Sequence, residues 1–158
     1  MVVYLSLGSN LGDRDNYLAQ AREALSAEFA WARFSKVYET EPVDLRDQPW
    51  FLNQVVELKT DGTPETLLEW AQQLEKRLGR QRDIPKGPRT LDVDILIFND
   101  EVRDEGELTI PHPRLTQRRH VLVPLCELVP DLVLPHAGYS VKKALAEVKD
   151  RSQVKLYE

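Results

Sequence analysis

A fold that mixes strands and helices around one core is what the sequence predicts, and three observations predict it. Leu91, Val93, Ile95 and Ile97 alternate with Asp92, Asp94, Leu96 and Phe98, the period of a strand. Leu67, Ala71, Leu74 and Leu78 recur at helical spacing behind Thr63-Pro64, a cap followed by a first-turn proline. The chain has 158 residues, 42% of them apolar, enough for one core and too few for two comfortable ones. One domain over residues 1–158 is therefore expected.

Val3, Leu5 and Leu7 alternate and predict a first strand, which Gly8-Ser9-Asn10-Leu11-Gly12 breaks as a turn. Leu18, Ala21, Leu25 and Phe29 predict a helix over 15–29. Residues 34–40 read as a second strand, and 41–49 as a polar loop with two prolines. A third strand follows over 51–59, with Leu52, Gln54, Val56 and Leu58 on one face and Phe51, Asn53 and Val55 on the other. The helix after Thr63 stops at Gly79. The strand carrying Asp92 and Asp94 is apolar enough to be central, and Asn99-Asp100 turns it into a hairpin. Beyond lie an apolar helix over 124–128 with Pro124 in its first turn and a short strand over 132–134. A helix capped by Ser140 and an edge strand over 154–157 complete the chain.

The net charge of −5 does not suit a chain that embraces nucleic acid. No apolar run approaches a membrane span, and Met1-Val2-Val3-Tyr4 lacks the basic region of a signal peptide. Cys126 is the sole cysteine, which excludes an internal disulfide or a thiolate metal site and makes the cytoplasm the expected home. Six cations and one acid lie between Lys76 and Arg89, so this segment carries +5 and leaves −10 for the rest. Such an island answers a local anionic ligand, or is a solvated helix end; the second account covers Lys76 and Arg77 but not the loop from Arg80 to Arg89.

Asp92 and Asp94 sit side by side on one strand face, roughly 7 Å apart. Two accounts fit them: solvated acids paired with Arg89, or oxygen ligands for a hard divalent cation such as magnesium. Phe51 and Asn53 likewise share a face, either as core residues or as a stacking ring and a carboxamide around a flat heterocycle. Glu75 is a solvated helix charge or faces the next loop. Prolines on both sides of His112 stiffen its backbone. No Gly-x-x-x-x-Gly-Lys-Ser/Thr or Gly-x-Gly-x-x-Gly motif is present.

These pieces fall in order along the chain. They are Gly8-Ser9-Asn10, Tyr38-Glu39-Thr40-Glu41-Pro42, Asp47-Gln48-Pro49-Trp50-Phe51-Leu52-Asn53, and Glu75 with Gly79-Arg80. Gly87-Pro88-Arg89-Thr90-Leu91-Asp92-Val93-Asp94-Ile95 follows, then Ile110-Pro111-His112, then Arg118 leading to Pro124-Leu125. Over nearly its whole length the chain resembles the 6-hydroxymethyl-7,8-dihydropterin pyrophosphokinases of folate biosynthesis. The resemblance implies a ferredoxin-like α+β sandwich, mainly antiparallel, with helices packed on the sheet and a long mobile catalytic loop. It implies an ATP-dependent diphosphokinase, a transferase that moves the terminal diphosphate of ATP onto the hydroxymethyl group of the reduced pterin and releases AMP. The attack on the β-phosphorus would be in line, with Asp92 and Asp94 holding two magnesium ions.

On the same resemblance, Arg80 and Arg89 answer the phosphate charge that builds during transfer. Gln72, Glu75, Arg82, Ile95, Thr109, His112 and Arg118 match positions of the ATP site. Thr40, Pro42, Val43, Phe51 and Asn53 match the pterin pocket, and His120 stands where a second stacking aromatic is expected. Lys86 replaces an aromatic residue, commonly Trp, just before Gly-Pro-Arg, and Glu107 and Leu108 stand where an arginine is often found. The partners implied are ATP and 6-hydroxymethyl-7,8-dihydropterin, with no nucleic acid or membrane, and a monomer is expected.

Overall fold

The computed structural model describes residues 1–80 and 88–158. In chain order the strands and α-helices are β1 (Val2–Ser9), α1 (Arg14–Glu28), β2 (Trp31–Phe34), β3 (Tyr38–Thr40), β4 (Phe51–Lys59), α2 (Pro64–Arg77), β5 (Asp92–Phe98), β6 (Arg103–Glu105), β7 (Leu108–Ile110), α3 (Arg119–Leu128), α4 (Val141–Glu147) and β8 (Val154–Leu156). β1 and β4 pair from Val2 opposite Lys59 to Ser9 opposite Leu52 and form the middle of an antiparallel sheet. β5 flanks β1 on one side; β3 and then β8 extend the other. β2 also pairs with β4, beyond β3, and β6 and β7 form a separate ribbon.

Alternating side chains give the sheet two faces, and each has its own core. On one, Val3, Leu5, Leu7, Leu52, Val56 and Leu58 cluster with Leu18, Ala21 and Leu25 of α1 and Leu67, Ala71 and Leu74 of α2. On the other, Tyr4, Val55 and Leu96 cluster with Leu122 and Leu125 of α3 and Val141 and Ala144 of α4. Burying a side chain of this size stabilises by about 1.5–3 kcal/mol, so both helical layers are held chiefly by apolar contact. The result is an antiparallel α+β sandwich, as expected. The two expected caps also match: Thr63 forms a capping box with Thr66, and Ser140 accepts from Lys143 N–H; Asp13, not foreseen as a cap, accepts from Asn16 N–H at the start of α1.

Several elements differ from the sequence reading. The strand expected over 34–40 is two, because Ser35, Lys36 and Val37 stand opposite only Gln54 and Val55. Ser35 holds that step: its N–H donates to the Val55 carbonyl and its Oγ accepts the Val55 N–H. Gly8 and Ser9 continue β1 rather than end it, because Asn53 and Leu52 pair with them. β5 is an edge of the main sheet, not a central strand. Its apolar character comes from two covered faces rather than two strand neighbours.

β5 also carries a bulge: Tyr4 pairs with Ile97 and Leu5 with Ile95, so Leu96 is the extra residue. Beyond it Phe98 turns into the core under α1 and α2, and Ile97 into the other, the reverse of strict alternation. Asn99 does turn the chain, with φ of 53°, but β6 pairs with β7 and no hairpin with β5 forms. α3 begins at Arg119, so Pro124 lies in its interior, where its missing N–H leaves the His120 carbonyl without a helical donor. Only the bridge between Val133 and Ser140 stands where a strand over 132–134 was expected. Arg82, Ile84 and Lys86 lie outside the described residues.

Candidate active site

The second face of the sheet changes character along its strands. Under α3 and α4 it is apolar, through Tyr4, Val55 and Leu96. At the other end it presents Ser6 and Gly8 of β1, Phe51 and Asn53 of β4, and Asp92 and Asp94 of β5. Thr40, Pro42 and Val43 close one side of this polar end, and Arg118 and His120, at the start of α3, close another.

Charges alternate across the start of β5. Arg80 Nη1 donates to Glu75 Oε2 at 2.5 Å and to Asp92 Oδ1 at 2.7 Å. Arg89 Nη1 donates to Asp92 Oδ2 at 3.0 Å. Glu75, at the C-terminal end of α2, is 3% exposed and also accepts the Val93 N–H at 2.8 Å. It is thus neither a solvated helix charge nor a lining residue of the cleft; it ties helix, loop and strand together. Burial raises the Asp92 carboxyl, but Arg89 and Arg80 outweigh it and hold the group below its ordinary value. For Asp94, burial and then the charge of Asp92 act in the same direction and push the carboxyl well up. The strand end is therefore short of positive charge at Asp94.

On the β4 side, Asn53 Nδ2 donates to Thr40 Oγ1 at 2.5 Å, which fixes the carboxamide. Its Oδ1 faces Gly8, where a Cβ would lie only 2.8 Å away. The Arg89 guanidinium lies over the Phe51 ring, 5.3 Å from its centroid. Burial, with Arg118 nearby, pulls the His120 imidazole down to about 4, so its ring is neutral, and its buried Nδ1 has no partner among the described residues.

A second cleft opens on the outer side of β5, lined by Asp94 and Ile95 with Thr109, Ile110 and His112. Asp94 and His112 line both clefts. His112 Nδ1 accepts the Arg114 N–H at 3.1 Å, which leaves the ring proton on Nε2, and burial pulls its pKa down to about 4.

The structure thus gathers Thr40, Pro42, Val43, Phe51, Asn53, His120, Arg89, Asp92 and Asp94 in one cleft, and Ile95, Thr109 and His112 beside the other. Arg118, expected with ATP, lines the first cleft and pairs with Asp44 at 3.2 Å. Gln72 stands apart from both clefts, donating to Glu107 in a neighbouring groove. Sequence reasoning missed Ser6, Asp44 and Gln48 as lining residues. Ser6 was readable from alternation with Tyr4; Asp44 and Gln48 lie in a loop whose path no periodicity reports.

An antiparallel α+β sandwich with twin acids, guanidinium groups and two joined clefts suits the class of phosphate-transferring enzymes with two substrates. The model of the 7,8-dihydro-6-hydroxymethylpterin-pyrophosphokinase (HPPK) family matches residues 4–130. A 2-amino-4-hydroxy-6-hydroxymethyldihydropteridine pyrophosphokinase of Bacillus subtilis is 48% identical over 129 residues, 80% of this chain and 77% of that one. Its counterpart in Methylorubrum extorquens is 42% identical over 147 residues, 92% of each chain. An HPPK-DHPS protein of Plasmodium falciparum, solved with pterin and p-hydroxybenzoate, superposes with a TM-score of 0.74 at 16% identity. That likeness covers 92% of this chain and 43% of that one, and it speaks for the fold alone. The chain belongs to the 7,8-dihydro-6-hydroxymethylpterin-pyrophosphokinase family.

Proposed function

We propose that this chain transfers the terminal diphosphate of ATP to the hydroxymethyl group of 6-hydroxymethyl-7,8-dihydropterin and releases AMP, as a diphosphokinase of folate biosynthesis. The observation that carries the reading is the meeting of two clefts at Asp94 and His112. The pterin occupies the cleft of Asn53 and Phe51. With Nδ2 engaged by Thr40, Asn53 Oδ1 accepts from the ring's amide edge, while Phe51 stacks on the ring and Pro42, Val43 and His120 close around it. ATP lies along the other cleft, against Ile95, Thr109 and His112, with Arg118 reaching from the first and Gln72 in the groove beside it. Glu75 supports Arg80 from beneath; Arg82, expected with ATP, lies outside the described residues.

The donor set at Asp92 and Asp94 fits magnesium. Both ligands are carboxylate oxygens, neighbours on one strand face, and Asp94 is short of positive charge. Two ions held there would neutralise the phosphates and align them. The pterin hydroxymethyl oxygen forms its bond to the β-phosphorus in line with the bond that breaks to the α-phosphate, and AMP leaves. One of the two aspartates relays the hydroxyl proton. Arg80 and Arg89 bring guanidinium groups to the phosphate oxygens. We further propose one domain over 1–158, a monomer, acting in the cytoplasm; among the described residues no helix is long and apolar enough to cross a membrane.

The test is a product assay with ATP, magnesium and the hydroxymethyl dihydropterin. AMP and the pterin diphosphate are expected in equal amounts, and ADP as the only nucleotide product would reject the reading. Asp94→Ala should abolish turnover while circular dichroism stays unchanged; near-normal activity would remove the metal argument.

A further inference from the structure

We propose that Asn10 is a positioning residue that fastens the loop over the pterin cleft to Arg89, a role that rests on the pyrophosphokinase reading above. Asn10 follows β1 and is 2% exposed. Its Nδ2 donates to Gln48 Oε1 and to the Pro49 carbonyl, each at 2.9 Å. Its Oδ1 accepts the Arg89 N–H at 2.9 Å, and its own N–H donates to the Arg89 carbonyl at 3.0 Å. One buried carboxamide therefore joins two segments forty residues apart in sequence.

Both segments reach the first cleft. Gln48 lines it directly, and the same loop carries Pro42 and Val43 on one side and leads into Phe51 on the other. Arg89 lies over Phe51 and holds Asp92. Its backbone exchanges hydrogen bonds with Asn10 in both directions, so the starting point of its guanidinium is set by Asn10. A carboxamide supplies two donor hydrogens and an acceptor oxygen, and here the nitrogen serves the loop while the oxygen serves Arg89. Aspartate would keep the acceptor and lose both donors; alanine would lose all of them. Pterin binding and the placing of Arg89 are thereby coupled through one side chain, and fixing reacting groups in place is where positioning residues act on rate. The loop has an independent tie, Arg14 Nη1 to the Trp50 carbonyl at 3.0 Å, so removing Asn10 loosens the loop without detaching it.

The experiment measures AMP release by the wild type, Asn10→Ala and Asn10→Asp, and follows amide exchange of Arg89 and residues 41–50 by NMR. Wild-type AMP formation comes first: its absence removes the pyrophosphokinase reading, while amide exchange still reads the clip. Asn10→Ala is expected to raise the pterin KM and lower kcat, each about tenfold, the scale of losing buried hydrogen bonds. Exchange should quicken in both segments. In Asn10→Asp the pterin KM should rise about tenfold while kcat stays within about threefold, because the Arg89 N–H keeps its acceptor. Its Arg89 amide should stay protected while the loop exchanges faster. In both variants the KM for ATP should move less than about threefold, which a general loosening of the fold would not allow. Identical effects of the two variants, unchanged Arg89 exchange in Asn10→Ala, or a matching rise in the KM for ATP would overturn the proposal. Should Asn10→Ala fail to fold, the split between KM and kcat in Asn10→Asp decides alone.

Discussion

A missing atom shapes the proposed pterin cleft. A Cβ on Gly8 would stand 2.8 Å from Asn53 Oδ1, closer than such contacts are made. Asn53 is not free to yield, since its Nδ2 is bound to Thr40 Oγ1 and the residue is 5% exposed. Gly8→Ala should therefore rotate the carboxamide away from the ring it reads and raise the pterin KM about tenfold, with a stability loss of about 1–3 kcal/mol from overpacking. Steady-state kinetics with pterin and ATP varied separately checks it, since the KM for ATP should hold. Asn53 and Phe51 were legible as a pair from alternation alone. Gly8 was not: its sequence signal is that of a turn, and the need for glycine arises only when β4 lies alongside.

At the level of elements, α2 and β5 are joined by Glu75, which accepts from Arg80 and from the Val93 backbone inside a nearly closed space. Removing one partner of such a pair leaves a buried cation and a buried N–H short of acceptors. Glu75→Ala should cost on the order of 3 kcal/mol in urea unfolding, and Glu75→Gln about half, because the amide oxygen still accepts the Val93 N–H. Equal losses in the two variants would mean that the charge of Glu75, and not its acceptor for the Val93 N–H, sets the cost at this position. Elements set by local pattern were readable, as with α1, α2, β4 and the Thr63 and Ser140 caps. Elements set by a partner were not. The break at Ser35 and the bulge at Leu96 appear only when two strands are laid in register. The true start of α3 was hidden because Pro124 reads as a first-turn residue, whereas Leu122 and Leu125, packed against the sheet, keep the helix intact around it.

For the whole molecule, the organising fact is a sheet whose second face is apolar under two helices and polar beyond them, with His120 near the boundary. The twin acids and their arginines were visible in the sequence as charge runs; the burial of His120 at the start of α3 was not, because burial of a histidine is a property of the assembled layers. That burial has a pH consequence. An unfolded chain protonates His120 near 6.5, and the folded protein does so only at about 4. Between those values the unfolded state binds the extra proton, so the stability given by the neutral ring is full above pH 6.5 and is lost as pH falls toward 4. His112 shifts in the same direction, and Asp94, raised by burial, opposes both. Replacing one group isolates its share. Between pH 7 and pH 5, His120→Phe should lose less unfolding free energy than the wild type, by about 2 kcal/mol. Urea titrations of both proteins at the two pH values give this difference directly. Parallel losses would mean that His120 takes up its proton in the folded state as readily as in the unfolded one, and that α3 does not seal this end of the cleft.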